Sequence, residues 1–146
     1  MTRVDFAFGA PDRLRAACQT ARKRYLAGQR LVVYCSDGTR LSAFDRMLWA
    51  FDDTAFVPHV LAKDPLADRT PIVLTAADPQ DAPGMPDAGA WLLNLDDACP
   101  PRYDGFERVL EIVSDEAADR QSARLRWRDY QAAGHSLHSH DLSRGA

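Results

Sequence analysis

Five consecutive apolar residues, Leu31-Val32-Val33-Tyr34-Cys35, lie between Gly28 and the pair Asp37-Gly38. This run limits what the chain can become more than any other feature. A strand with one wet face alternates apolar and polar residues. A continuous run rich in β-branched side chains has no wet face, and reads as a strand covered on both sides, as in a parallel sheet between helices. Residues 71–75, 90–95 and 109–113 repeat the pattern, and a shorter strand opens at 4–7.

The segments between them carry helical spacing. Leu14, Ala17, Cys18, Ala21, Tyr25 and Leu26 recur every three or four residues over 11–27, and Gly28 stops them. Leu41, Phe44, Leu48 and Phe51 describe a second helix that ends at Asp52-Asp53. Ser114 is expected to cap a third, running to about Gly134, with Asp115 and Glu116 at its positive end. Phe56-Val57-Pro58-His59 reads as a loop because of its proline, and 77–89, rich in Pro and Gly, as another. The expectation is one α/β domain over 1–134, a mostly parallel sheet of about five strands flanked by helices. A polar C-terminal tail is expected over 135–146.

The motifs that would make such a domain an enzyme are weak. Phe8-Gly9-Ala10-Pro11 after the first strand is neither a dinucleotide fingerprint nor a phosphate loop. The turn from Cys35 to Gly38 is the remaining nucleotide or nucleophile candidate. A plain turn and a buried structural cysteine are the preferred readings. His135, His138 and His140 have no nearby fourth ligand and are assigned to the tail, so no metal and no cofactor is expected. The paired acids Asp52-Asp53 and Asp96-Asp97 read as turn chemistry. No apolar run approaches the 18 to 20 residues, roughly, that span a bilayer. Nor does a basic segment followed by an apolar one open the chain, so a cytoplasmic protein with no membrane partner is expected.

One stretch stands out. Residues 120–128 hold four arginines and no acid, so a chain of net charge -3 divides into a block at +4 and a remainder at -7. On a helix, Arg120, Arg124, Trp127, Arg128 and Gln131 share a sector about 100° wide. Ala118, Leu125 and Ala132 fall opposite and are expected to face the sheet, while Arg126 projects away from both groups. An indole among guanidinium groups suits an acidic ligand with an aromatic or apolar anchor. A solvated helix face is the competing reading. Single-stranded nucleic acid would also suit the stripe, but the acidic remainder opposes it.

Leu48-Trp49-Ala50 through Phe56-Val57-Pro58-His59, then Leu61-Ala62, resembles the signature of the chi subunit of bacterial DNA polymerase III. Arg124, Arg126-Trp127-Arg128, Tyr130 and Gly134 resemble that family's last helix, with Trp-Arg in place of Tyr-Lys. Phe6 in the first strand and Gly28 after the first helix agree too. The resemblance implies a nucleotide-binding-like topology without nucleotide or metal, and a non-catalytic role in the clamp-loader assembly. It implies binding of the acidic, Phe-terminated C-terminal tail of single-stranded-DNA-binding protein, so that DNA is reached only indirectly. Carried over by position, that site is Arg120, Arg124, Trp127, Arg128 and Gly134. The resemblance also implies a link to the psi subunit near Trp49 and Phe56. Of these two, Trp49 is expected in the core and Phe56 at the interface.

Overall fold

The computed structural model describes residues 2–51, 56–83 and 89–142. In chain order it contains β1 (Arg3–Ala10), α1 (Arg13–Leu26), β2 (Leu31–Tyr34), α2 (Gly38–Ala50), β3 (His59–Leu61), β4 (Ile72–Thr75), β5 (Trp91–Asn94), β6 (Arg108–Ser114), α3 (Ala117–Ala132) and β7 (Ser136–Asp141). The strands form one sheet in the order β3-β4-β2-β5-β6-β1-β7. Every pairing is parallel. The sheet thus has seven strands rather than about five. The two additional strands, β3 and β7, are the edges, where partial exposure permits a Pro-flanked or polar sequence that a central strand would not tolerate.

The continuous apolar strands are covered on both faces, as their composition requires. Leu31, Val33 and Cys35 pack with α1 and α2 through Ala17, Ala21, Phe44 and Leu48. Val32 and Tyr34 turn to the other face, whose core includes Ala123 and Tyr130 of α3. β7 carries a polar sequence, yet it takes parallel partners along β1 from Arg3–Ser136 to Phe8–Asp141. The polar tail expected from residue 135 is therefore an edge strand as far as Asp141. Asp52, Asp53, Gly84 and Pro86, and the tail beyond Leu142, lie outside the described residues.

Local chemistry sets the helix ends. Asp12 caps α1 by accepting from the Arg15 amide at 3.1 Å, and Asp37 caps α2 by accepting from Thr39 at 3.0 Å. Ser114 does not cap α3. It ends β6, and its hydroxyl accepts from the Glu116 amide at 3.3 Å, while Asp119 reaches back to accept from the Ser114 amide at 2.8 Å. Gly134 stops α3 with φ +86°. The Gly134 amide returns to Gln131 and that of His135 to Tyr130, the paired bonds of a left-handed helix stop.

The inner face of α3 differs from the one expected. Ala118, Leu125 and Ala132 are exposed, Leu125 by 55%. The buried residues are Ala123, Arg126 and Tyr130. Arg126 is 1% exposed because Glu111 of β6 is 0% exposed beneath it, and the guanidinium Nε donates to the carboxylate at 3.0 Å. Tyr130 Oη donates to the same carboxylate at 2.7 Å and Asn94 Nδ2 at 2.8 Å. Apolar periodicity missed this face because its centre is a charge whose partner lies on a distant strand. Removing one partner of such a pair strands a buried ion, at a cost of about 3–5 kcal/mol. Urea unfolding of Arg126→Ala should show a loss in that range, and the double replacement Glu111→Leu/Arg126→Met a smaller one. A loss below about 1 kcal/mol for Arg126→Ala would contradict this role.

Candidate functional site

With α3 docked through Arg126, the arginine sector is turned about 120° from the inner face and lies along the flank of the helix. There it meets the end of the sheet. Val4, Phe6 and Phe8 share one face of β1 because side chains alternate along a strand. Val4 and Phe6 are buried under α3, while Phe8, nearer the strand end, stays 42% exposed. The result is a cleft of about 300 Å³ with Phe6, Phe8, Val113 and Trp127 as apolar lining. Arg120, Arg124 and Arg128 border it, and Ser139 of β7 contributes from the edge.

Trp127 is held in place by aromatic contacts. Its ring centroid lies 5.1 Å from that of Phe6, which in turn sits 5.9 Å from Tyr130. Tyr103 packs edge-on against Tyr130 at 4.9 Å and His135 at 5.1 Å, continuing the buttress. The three arginines at the border are exposed and have no ion-pair partner among the described residues. A cleft with an apolar floor and unpaired guanidinium groups on its border accommodates a carboxylate-rich ligand with one apolar anchor.

Arg120, Arg124, Trp127 and Arg128 are thus brought together. Gly134 is not: it is the helix stop, outside the cleft lining, and its Cβ position faces open space. Phe8, Val113 and Ser139 were not anticipated. The alternation Val4, Phe6, Phe8 carried a signal for Phe8, whereas Ser139 depends on pairing between β1 and β7 that local sequence does not encode.

At the other end of the sheet, Trp49 is 50% and Phe56 66% exposed, with ring centroids 5.1 Å apart. Trp49 is therefore not a core residue. Its ring lies 4.1 Å from that of the buried His59, which is seated against the Asp45 carboxylate at 3.1 Å. Trp49 lies at the surface beside Phe56 instead.

The crevice where nucleotides bind in related architectures lies between β1 and β6, at the ends from which α1 and α3 leave. The protein's own side chains occupy the polar positions there. Arg13 donates to the carbonyls of Ile112 and Asp96, both at 2.9 Å, and lies 3.7 Å from Asp97 and from Asp119. At the Cys35–Gly38 turn, the amides that would cradle a phosphate are taken by Asp37. Burial pushes the Cys35 thiol up, and it donates to the Leu95 carbonyl. These features do not suit a nucleophile or a phosphate site. Burial also pushes Cys99 up to about 11 and Cys18 up to about 12. A thiol at 11 is about 0.1% ionised at pH 8, against roughly a quarter for an ordinary one. Alkylation of Cys99 at pH 8, followed by mass spectrometry, should be at least a hundredfold slower in the native than in the urea-unfolded chain. A native cysteine alkylated at the unfolded rate would instead reveal an activated thiol.

No helix among the described residues is long and apolar enough to cross a membrane. Comparison with known proteins finds relatives along the whole chain. The profile of the family described as DNA polymerase III chi subunit, HolC, matches residues 1–138. The chain is similar to the DNA polymerase III subunit chi of Pseudomonas aeruginosa, 36% identical over 148 residues that cover 99% of each chain. It is also similar to the subunit of the same name from Escherichia coli (strain K12), 29% identical over 84% of this chain and 80% of that one. The Haemophilus influenzae subunit is 23% identical over 86% and 85%. By these matches, the chain belongs to the chi subunit family of DNA polymerase III, a family of DNA replication.

Proposed function

We propose that the cleft beside Trp127 binds the acidic, Phe-terminated C-terminal tail of single-stranded-DNA-binding protein, and that the chain acts as a non-catalytic adaptor in the replicase. The observation that carries this reading is the pairing of an apolar floor (Phe6, Phe8, Val113, Trp127) with three exposed arginines that have no ion-pair partner among the described residues. The terminal ring enters between Phe8 and Trp127. Arg120, Arg124 and Arg128 pair with the tail's aspartates and terminal carboxylate, each contact contributing about 1.5–3 kcal/mol before ordering costs. Because a disordered tail loses entropy on docking, affinity on the order of micromolar is expected. Work at this site is that of a cytoplasmic protein reaching DNA through its partner.

The adjoining, exposed pair of Trp49 and Phe56 supports a second contact, with the psi subunit of the clamp loader where one is present. Aromatic side chains on the surface, away from the tail cleft, are the usual anchors of a protein interface. The two sites lie at opposite ends of the sheet order, near β3 and near β7, so one subunit can hold both partners at once.

A fluorescence anisotropy titration with a labelled acidic peptide ending in Phe tests both assignments. Arg128→Glu should weaken binding tenfold or more, about 1.4 kcal/mol. Trp49→Ala/Phe56→Ala should leave the peptide affinity unchanged while abolishing co-purification with psi. Unchanged peptide affinity in a folded Arg128→Glu protein would refute the tail site.

A further inference from the structure

The strands that form the tail cleft have a second face. Alternation that turns Phe6 and Phe8 toward α3 turns Arg3 and Asp5 the other way, and pairing places Ser136 and His138 beside them on β7. On this face α1 and α2 cover the middle of the sheet and leave its β1–β7 end open. The side chain of Arg3 is 42% exposed and that of His140 53%.

The open shelf is cationic. Arg3 is level with Arg108 on the neighbouring strand, and Trp91 of β5 lies level with Arg108 on the far side. The Arg108 guanidinium carbon lies over the Trp91 ring, 4.3 Å from its centroid, and that of Arg24, from the last turn of α1, lies 5.3 Å from it. Trp91 is thus in cation–π contact with two arginines. Asp5 is the acid within this group. Arg3 Nη2 and Arg108 Nε each reach it at 3.1 Å, and His140 at 2.9 Å. Although burial opposes its ionisation, hydrogen bonds from His140 and Arg3 and the charge of Arg108 hold the Asp5 carboxyl below the usual range. Asp5 thus pairs with Arg3 and Arg108, and Arg24 adds a third guanidinium group beside Trp91, so these four side chains carry a net of two positive charges.

We infer that this shelf is a contact surface for the phosphate backbone of single-stranded DNA. Two observations favour nucleic acid over a second acidic peptide. Side-chain selection of a peptide needs an anchor pocket like the one beside Trp127, and this face offers guanidinium groups over a partly buried indole instead. Guanidinium groups held over an indole suit sequence-tolerant phosphate pairing, the chemistry of single-strand binding. The acidic remainder of the chain confines the contact to this shelf and makes it weak and salt-sensitive. The inference is independent of the tail site, since it uses the opposite face of β1 and β7.

The test is fluorescence anisotropy of the full chain with a labelled 20-nucleotide oligo-dT, in 20 mM and 200 mM salt. Two neutralised phosphates give a slope of about -1.4 in log K against log salt, so affinity should fall about 25-fold across that range. Arg3→Ala/Arg24→Ala should weaken DNA binding at 20 mM salt at least fivefold and leave binding of the Phe-ended acidic peptide unchanged, which also reports an intact fold. The inference is overturned if oligo-dT does not bind at 20 mM salt. It is equally overturned if binding survives Arg3→Ala/Arg24→Ala but is lost in Arg124→Glu, which would place DNA on the α3 stripe. Displacement of oligo-dT by equimolar polyglutamate would overturn it too, and mark the shelf as a surface for an acidic protein.

Discussion

The carboxylate of Glu111 sits in β6 between Val109-Leu110 and Ile112-Val113, and it is wholly buried. Desolvating a lone carboxylate is prohibitive, so the fold must deliver donors to it. Arg126 and Tyr130 arrive from α3, and Asn94 from β5. Apolar packing tolerates a helix that slides or rotates slightly, whereas donors at 2.7 to 3.0 Å do not. The network therefore fixes both the rotation and the axial position of α3. Further contacts act the same way: Arg126 Nη1 donates to the Asp97 carbonyl at 3.2 Å and to Ser122 at 3.0 Å.

Everything on the flank of α3 follows from that placement. Arg120, Arg124 and Arg128 are one helical turn apart, and a rotation that buried Leu125 would carry them away from Phe8. Trp127 is adjacent to the anchoring Arg126 in sequence, so its indole is directed against Phe6 by the same constraint. The cleft is thus a consequence of how the helix is fastened. Its apolar floor comes from β1, a strand at the far end of the chain, and its wall from β7, which returns beside β1 after α3 ends at Gly134. The sheet serves two surfaces by alternation alone, with Phe6 and Phe8 on one face and Arg3 and Asp5 on the other.

Much of this was legible in the residues. Buried parallel strands follow from Leu31 to Cys35 and its counterparts, and helical spacing located all three helices. The arginine sector also followed from geometry, because Arg120, Arg124, Trp127 and Arg128 are close in sequence. What escaped depends on distant partners. The inner face of α3 could not be read from apolar residues when its centre is Arg126; the isolated Glu111 in an apolar strand was the one local hint. β7 reads as polar because an edge strand is stabilised by its backbone partner, not by its side chains. Trp49, placed in the core by its position on α2, is half exposed, and its ring lies against Phe56 and His59, which follow the helix in the chain.

The central claim is that the tail of single-stranded-DNA-binding protein occupies the cleft between α3 and the β1–β7 edge. Amide chemical-shift mapping of the ¹⁵N-labelled chain, titrated with an acidic peptide ending in Phe and with the same peptide ending in Ala, addresses it most directly. The Phe-ended peptide should shift residues 6–8, 113, 120–128 and 139, and the Ala-ended peptide should shift them little at equal concentration. Shifts concentrated around Trp49 and Phe56, in the crevice at Arg13, or identical for the two peptides would contradict it.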